Sequence, residues 1–260
     1  MMRGNPLITE VLTGLTRGGK AQLDYLGLLL IQAVILLLWW PKSGVAQILE
    51  RQQSPRTLTA MVMALGLTTA YFALRAGAEE IMLPGQRALR DWARFLRPIR
   101  ILNGYVLGQL LHSLYLLALS APLLLMAFTI SGVDWAALGW CLAAVLVQAL
   151  FYRLCAAITQ LTVGHHAGVS FYTVRAILLL IYVPVGLLAP VTSHLAFTYW
   201  ALGENIAAQP QNALTRDHVM FLVIYMGLSV LAAFAVHRLL VHERDRMKHS
   251  HDSDGKVFTG

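Results

Sequence analysis

The residues of this chain best suited to chemistry are polar groups set inside long apolar stretches. Gln109, His112 and Ser113 lie at i, i+3 and i+4, which places them on one face of a helix, and Ser120 continues that face. Arg153 and Gln160 share a face of the next apolar stretch, and Cys141, Gln148 and Cys155 form a second stripe on it. A polar side chain costs free energy in hydrocarbon unless it meets protein or water, so such groups either tie helices together or line a path. Gln109, His112, Ser113 and Arg153 are therefore the pathway candidates, with helix–helix hydrogen bonding as the bland alternative. Arg153 lies near enough to the end of its stretch for its head to snorkel to the membrane surface.

Other arrangements fall short of a site. Gly14 to Ala21 follows the phosphate-loop spacing GxxxxGK[ST], but Ala21 stands where a magnesium-binding hydroxyl is required and an apolar span follows instead of an α/β sheet. The chain thus carries no nucleotide site of its own. Glu79-Glu80 pair two carboxylates, as in the EExxxR element of intramembrane CAAX-type proteases, but Pro84 occupies the arginine position and no FxxxH or HxxxN pairing follows. Ser170 and His237 lack any recognisable hydrolase setting. His165-His166, His242, His249 and His251 have neither the spacing nor the cysteine or carboxylate companions of a metal site. Cys141 and Cys155 lie on one expected helix about 21 Å apart, far beyond disulfide reach, and read as packing residues.

The elements that hold these groups are membrane spans. Hydrophobic residues make up 57% of the 260 residues and charged residues only 13%, with a mean hydropathy of +0.62. A soluble domain carries about 25% charged residues. Apolar runs at 21–40, 57–76, 104–130, 135–163, 171–200 and 219–241 each reach the ~20 residues needed to cross a ~30 Å hydrocarbon core. The expected fold is all-α, a polytopic membrane protein with about six transmembrane helices. The fifth run is too long for one simple span, so Pro184 and Pro190 are expected to kink it and 191–200 to form a shallow element near the outer face.

The net charge of +7 follows topology rather than nucleic acid, for which no aromatic-basic motif exists. Arg3, Arg17 and Lys20, then Arg75 through Arg100, then Arg238 through Lys256 fall on one side of a six-span layout. By the positive-inside rule that side is cytoplasmic and holds both termini, with anionic lipid headgroups as the partner of the charge. The first run lacks a small-residue cleavage site and is read as a span, not a removed leader.

Three regions follow: an interfacial helix within 1–20, a transmembrane domain over 21–241 and a mobile cytoplasmic tail over 242–260. Asn5 is a good N-cap and Pro6 suits the first helical position. Leu7, Ile8, Val11, Leu12 and Leu15 recur opposite Thr9, Glu10, Thr13 and Arg17, and Gly18-Gly19 ends the helix before the membrane. Between runs two and three, Leu89, Trp92, Ala93, Phe95, Leu96 and Ile99 alternate with Arg87, Arg90, Asp91, Arg94, Arg97 and Arg100. This pattern suits a short cationic amphipathic helix, interrupted at Pro98. Gly104 and Gly108 allow close helix packing.

These pieces resemble the permease subunits of type-2 ABC exporters. The resemblance rests on Asn5-Pro6-Leu7-Ile8 opening an interfacial helix and on the charged linker running through Leu96-Arg97-Pro98 to Gly108-Gln109. The Ala121-Pro122 to Trp135 stretch adds the hairpin between spans three and four. The family's usual Glu-Arg-x-x-Gly-Thr signature is absent, and Gln109 stands in place of its common lysine. The resemblance implies a permease in a bacterial inner membrane, working as a homodimer or paired permease on separate ABC ATPase subunits. The chain itself would hold no cofactor, ATP and Mg being bound by the ATPase. Arg87, Arg90, Asp91, Trp92, Arg94, Phe95, Leu96 and Arg97 would form the coupling helix, with the arginines meeting acidic residues and Trp92, Phe95 and Leu96 filling a groove. A membrane scaffold with the same linker, or an intramembrane enzyme, are the other readings.

Overall fold

A computed structural model describes residues 5–17, 19–40, 55–78, 87–163, 176 and 211–254, and every regular element among them is α-helical. The helices are α1 (Pro6–Arg17), α2 (Gly19–Leu38), α3 (Pro55–Gly77), α4 (Leu89–Phe95), α5 (Pro98–Thr129), α6 (Trp135–Val163) and α7 (Gln211–Asp254). Among the described residues, four stretches are long and apolar enough to cross a membrane: Arg56–Gly77, Pro98–Thr129, Trp135–Thr162 and Val219–Met247. A shorter apolar helix, Gln22–Leu38, accompanies them. Apart from residue 176, the fifth apolar run expected from the sequence lies outside the described residues, as do His165-His166, Ser170 and the Glu79-Glu80 pair.

The ends of the helices follow from local chemistry. Asn5 Oδ1 accepts the Leu7 amide at 3.2 Å, capping α1 with Pro6 as its first residue. Pro98 likewise starts α5, because the missing amide costs nothing at that position. The third span therefore begins six residues earlier than Gly104, the bound suggested by hydropathy. Between α5 and α6, Gly132 takes the left-handed conformation (φ 67°), which a residue with a Cβ adopts only with strain. Ser131 Oγ donates to the Phe128 carbonyl at 2.7 Å and accepts the Val133 amide at 3.2 Å, and Asp134 Oδ2 accepts the Ala136 amide at 3.3 Å. Phe128 and Trp135 close the turn with ring centroids 4.0 Å apart.

Helix directions can be read from the contacts. Thr57 Oγ1 donates to the Trp39 carbonyl, and Arg75 pairs with Asp24, so α2 and α3 run antiparallel. The α6 helix lies beside α7 in parallel: Gln148 meets Tyr225, while Leu154, Ala157 and Leu161 share a cluster with Ala232, Val236 and Leu240. The α3 helix also runs with α6, placing Ala70, Ala73 and Ala78 against Ala149, Tyr152 and Ala156. This seam of small residues brings backbones close, the usual way that helices associate where hydrocarbon supplies no hydrophobic drive. Buried residues make up 67% of the membrane window of α3 but 28% of that of α7, so among the described spans α3 is the most enclosed and α7 the most peripheral. Leu23, Leu26, Leu30 and Leu37 on α2, with Val223, Val230, Leu231 and Phe234 on α7, present apolar faces outward.

One end of the bundle gathers the cations. The start of α2, the end of α3, α4, the start of α5, the end of α6 and the last turns of α7 meet there. Helical structure continues past His242: α7 runs 44 residues to Asp254 without a break at residue 242. Apolar content ends near Val241, but Glu, Arg, Met and Lys continue as good helix formers.

Candidate functional site

Two constellations stand out, one inside the bundle and one at its basic end. The internal one is built from neighbouring turns of α5 and α6. Arg153 Nη1 donates to Gln109 Oε1 at 2.8 Å, and Gln109 Nε2 donates to Ser113 Oγ at 2.9 Å. Because a guanidinium only donates, the orientation of the Gln109 amide is fixed by its partner. The Arg153 guanidinium carbon sits 4.2 Å from the centre of the Tyr105 ring, a cation–π contact shielded from water. One helical turn away, His112 Nε2 and the Tyr25 hydroxyl are 3.0 Å apart, joining α5 to α2. Phe72 from α3 packs edge-on to both rings.

All four pathway candidates thus come together in one buried region, with Gln109, His112, Ser113 and Arg153 no more than 1% exposed. Arg153 does not snorkel: it is among the largest fully buried side chains of the protein. Its Nε and the Nδ1 of His112 are buried without a hydrogen-bond partner. Ser120, on the same face of α5, and Gln32 of α2 are also buried and unpartnered. A second polar node lies on the other side of α6, where Gln148 Nε2 donates to the hydroxyls of Tyr225 (3.3 Å) and Tyr152 (3.4 Å). Cys141 on this side is buried in the apolar core, in keeping with a packing role.

The second constellation surrounds α4. Glu10 of α1 accepts the Arg87 amide at 2.6 Å, and the Asn5 side-chain amide donates to the Arg100 carbonyl at 2.7 Å, so α1 is tied to both sides of α4. Gly104 makes room for this: a Cβ there would lie 2.5 Å from the Asn5 amide nitrogen. Arg90 donates to the Leu161 carbonyl at 2.7 Å and lies 3.5 Å from Glu243, bridging the ends of α6 and α7. Arg94 Nε contacts Met247 Sδ at 3.2 Å. Leu89 and Ala93 are buried, and Trp92, Leu96 and Met247 pack on their cluster.

The eight residues of the amphipathic segment therefore divide. Arg90, Trp92 and Leu96 face the protein, and Asp91 is half-buried. Arg87, Arg94, Phe95 and Arg97 are exposed, with Phe95 at 63% and its ring 4.4 Å beneath the Arg87 guanidinium. The α4 helix stops at Phe95, and Ile99 and Arg100 belong to α5. Tyr25, Tyr105, Glu243 and Met247 were not singled out by sequence reasoning. Asp24 and Arg75, charges at the rim of apolar runs, were the available signal for the α2–α3 ion pair.

Fold and site together define an α-helical membrane protein with a sealed polar interior and a cationic end. The chain matches no protein-family model, no curated protein and no solved structure.

Proposed function

We propose that this chain is the membrane-spanning permease subunit of an ATP-driven ABC exporter in a bacterial inner membrane. It would carry six spans, an interfacial α1 and cytoplasmic termini, and act as a pair of permeases on separate ATPase chains that bind ATP and Mg. The observation that carries the reading is the position of α4. This short helix and its flanking residues present Arg87, Arg94, Phe95 and Arg97 outward while gripping α1, α6 and α7 from behind. A partner pressing on Phe95 would move three helices together, as ATP-driven coupling requires. The six-span count draws support from direction: α6 and α7 run parallel, and an odd number of crossings between them is what six spans demand. The outward apolar faces of α2 and α7 suit lipid or a second permease.

The scaffold reading draws on a different observation, the closure of the Gln109–His112–Ser113–Arg153 region within one subunit. Affinity purification in mild detergent, followed by identification of co-purifying chains and an ATP hydrolysis assay, separates the two. Under the permease reading an ATPase copurifies and is lost when Phe95→Ala is combined with Arg94→Glu and Arg97→Glu. Intact protein with no ATPase partner under several conditions favours the scaffold. An ATPase retained by the triple variant keeps the transporter and removes α4 as its docking element.

A further inference from the structure

We propose that Arg153 is the seat of an internal binding site for an anionic group, a phosphate or a carboxylate. The reasoning is independent of ATP coupling, because the same charge sits in the same place whether the protein transports or scaffolds.

A guanidinium keeps its charge at any physiological pH, so burial cannot be relieved by losing the proton. Buried charges are paired in proteins, since an isolated one costs several kcal/mol in a low-dielectric interior, and in membranes they mark sites of function. Arg153 is 1% exposed. Its hydrogen-bond acceptor is the neutral amide of Gln109, and its other close neighbour is the Tyr105 ring. The salt bridges Arg75–Asp24 and Arg90–Glu243 do not involve it. The ring and the amide offset part of the desolvation but supply no opposite charge. Two further atoms point the same way. Arg153 Nε is a buried donor without an acceptor, and one turn along α5 the Nδ1 of His112 is buried and unpartnered. In either tautomer His112 keeps one ring nitrogen unsatisfied while Tyr25 holds the other.

Depth sets the route. Arg153 lies ten residues before the end of α6 at Val163, and Gln109 eleven residues after the start of α5 at Pro98. Both are thus about 15 Å from the basic end of the bundle at 1.5 Å per residue. The exposed arginines at that end would raise the local concentration of anions. Phosphate chemistry is common to free anions and to lipid headgroups, and the experiment separates them.

The protein is reconstituted in nanodiscs and its thermal unfolding is followed by tryptophan fluorescence. One arm titrates inorganic phosphate at constant ionic strength in phosphatidylcholine discs. The other compares phosphatidylcholine with phosphatidylglycerol discs lacking phosphate. The expected result is a midpoint that rises and saturates in at least one arm, the unfolding constant falling about 100-fold at a ligand concentration 100 times Kd. A rise with phosphate identifies a free anion, and a rise only with phosphatidylglycerol identifies a headgroup. Arg153→Gln removes the response while leaving every surface arginine in place. Gln109→Glu tests the same idea without deleting the charge: a carboxylate 2.8 Å from Nη1 neutralises Arg153 from within, and Ser113 can reverse its hydrogen bond. That variant should match the anion-saturated wild type and ignore both probes. A wild type indifferent to both arms overturns the proposal. So does a wild-type response in either variant, and Gln109→Glu alone decides the matter if Arg153→Gln fails to fold.

Discussion

Substituting alanine for Gly77 tests the close approach of α3 to α6. A Cβ at residue 77 would lie 2.6 Å from Ala156 Cβ, 2.6 Å from the Arg153 carbonyl oxygen and 3.2 Å from the Tyr105 hydroxyl. Carbon atoms rest at about 3.5–4.0 Å, so α3 and α6 must separate by roughly 1 Å. A gap of that size forfeits a quarter to a half of each dispersion contact along the Ala70–Ala73–Leu74 seam. Overpacking of this kind costs about 1–3 kcal/mol, and a middle value of about 2 kcal/mol raises the unfolding constant about 30-fold. Intrinsic propensity pushes the other way, since Gly→Ala in a helix gains up to about 1 kcal/mol. Gly77 is not left-handed, so backbone strain does not enter. The sign of the change therefore separates packing from propensity. The assay is SDS-driven unfolding in bicelles, read by tryptophan fluorescence. The companion change Ala156→Gly removes the carbon contact but not the carbonyl one, and the double variant should recover part of the loss. A Gly77→Ala protein as stable as the wild type, or more so, would refute the close α3–α6 approach.

Three further outcomes are expected. Tyr25→Phe and His112→Leu should couple by about 1 kcal/mol in a double-mutant cycle, because each removes one side of the same buried hydrogen bond; additive losses would remove that bond. Breaking the Arg75–Asp24 pair with Arg75→Gln should cost about 1 kcal/mol. Adding Asp24→Asn should restore much of it, since the partly buried carboxylate is then neutral; no recovery in the double variant would dissociate the two residues. Cysteines at positions 94 and 247, in a background lacking Cys141 and Cys155, should be joined by a short bifunctional maleimide that replaces the reach of the two long side chains, read by mobility after cleavage of the intervening chain. Failure to cross-link would show that α7 does not brace α4.

What the sequence made legible was mostly local. The Asn5-Pro6 cap, the hairpin around Gly132 and the buried face shared by Gln109, His112 and Ser113 all follow from neighbouring residues. Hydropathy, by contrast, misplaced the start of α5, since Pro98 initiates a helix among charged residues outside the apolar run. It also ended the last helix too early, because it registers lipid preference and not helix propensity beyond the membrane. Pairings between distant segments were not legible. The alternation at 87–100 announced an amphipathic helix, but nothing local indicated that Arg90, Trp92 and Leu96 would be claimed by α6 and α7. Arg153 illustrates the same point. Its distance from a helix end allowed snorkelling, and only the packing of Tyr105 and Gln109 around it shows a buried head.

The unbroken course of α7 has a mechanical consequence. A helix of 44 residues is about 66 Å long, roughly twice the thickness of the hydrocarbon core. Phe221 and Tyr225 seat it in the apolar core toward one end of the bundle, and Glu243 and Met247 hold α4 toward the other. With no proline in its described apolar stretch to absorb a bend, this rod is seated along α6 from Tyr225 to Leu240. A displacement of α4 by a few ångströms at the basic end would then be carried along the rod toward the opposite end of the bundle. The periphery of the bundle would thereby report to one side of the membrane what is done to it on the other.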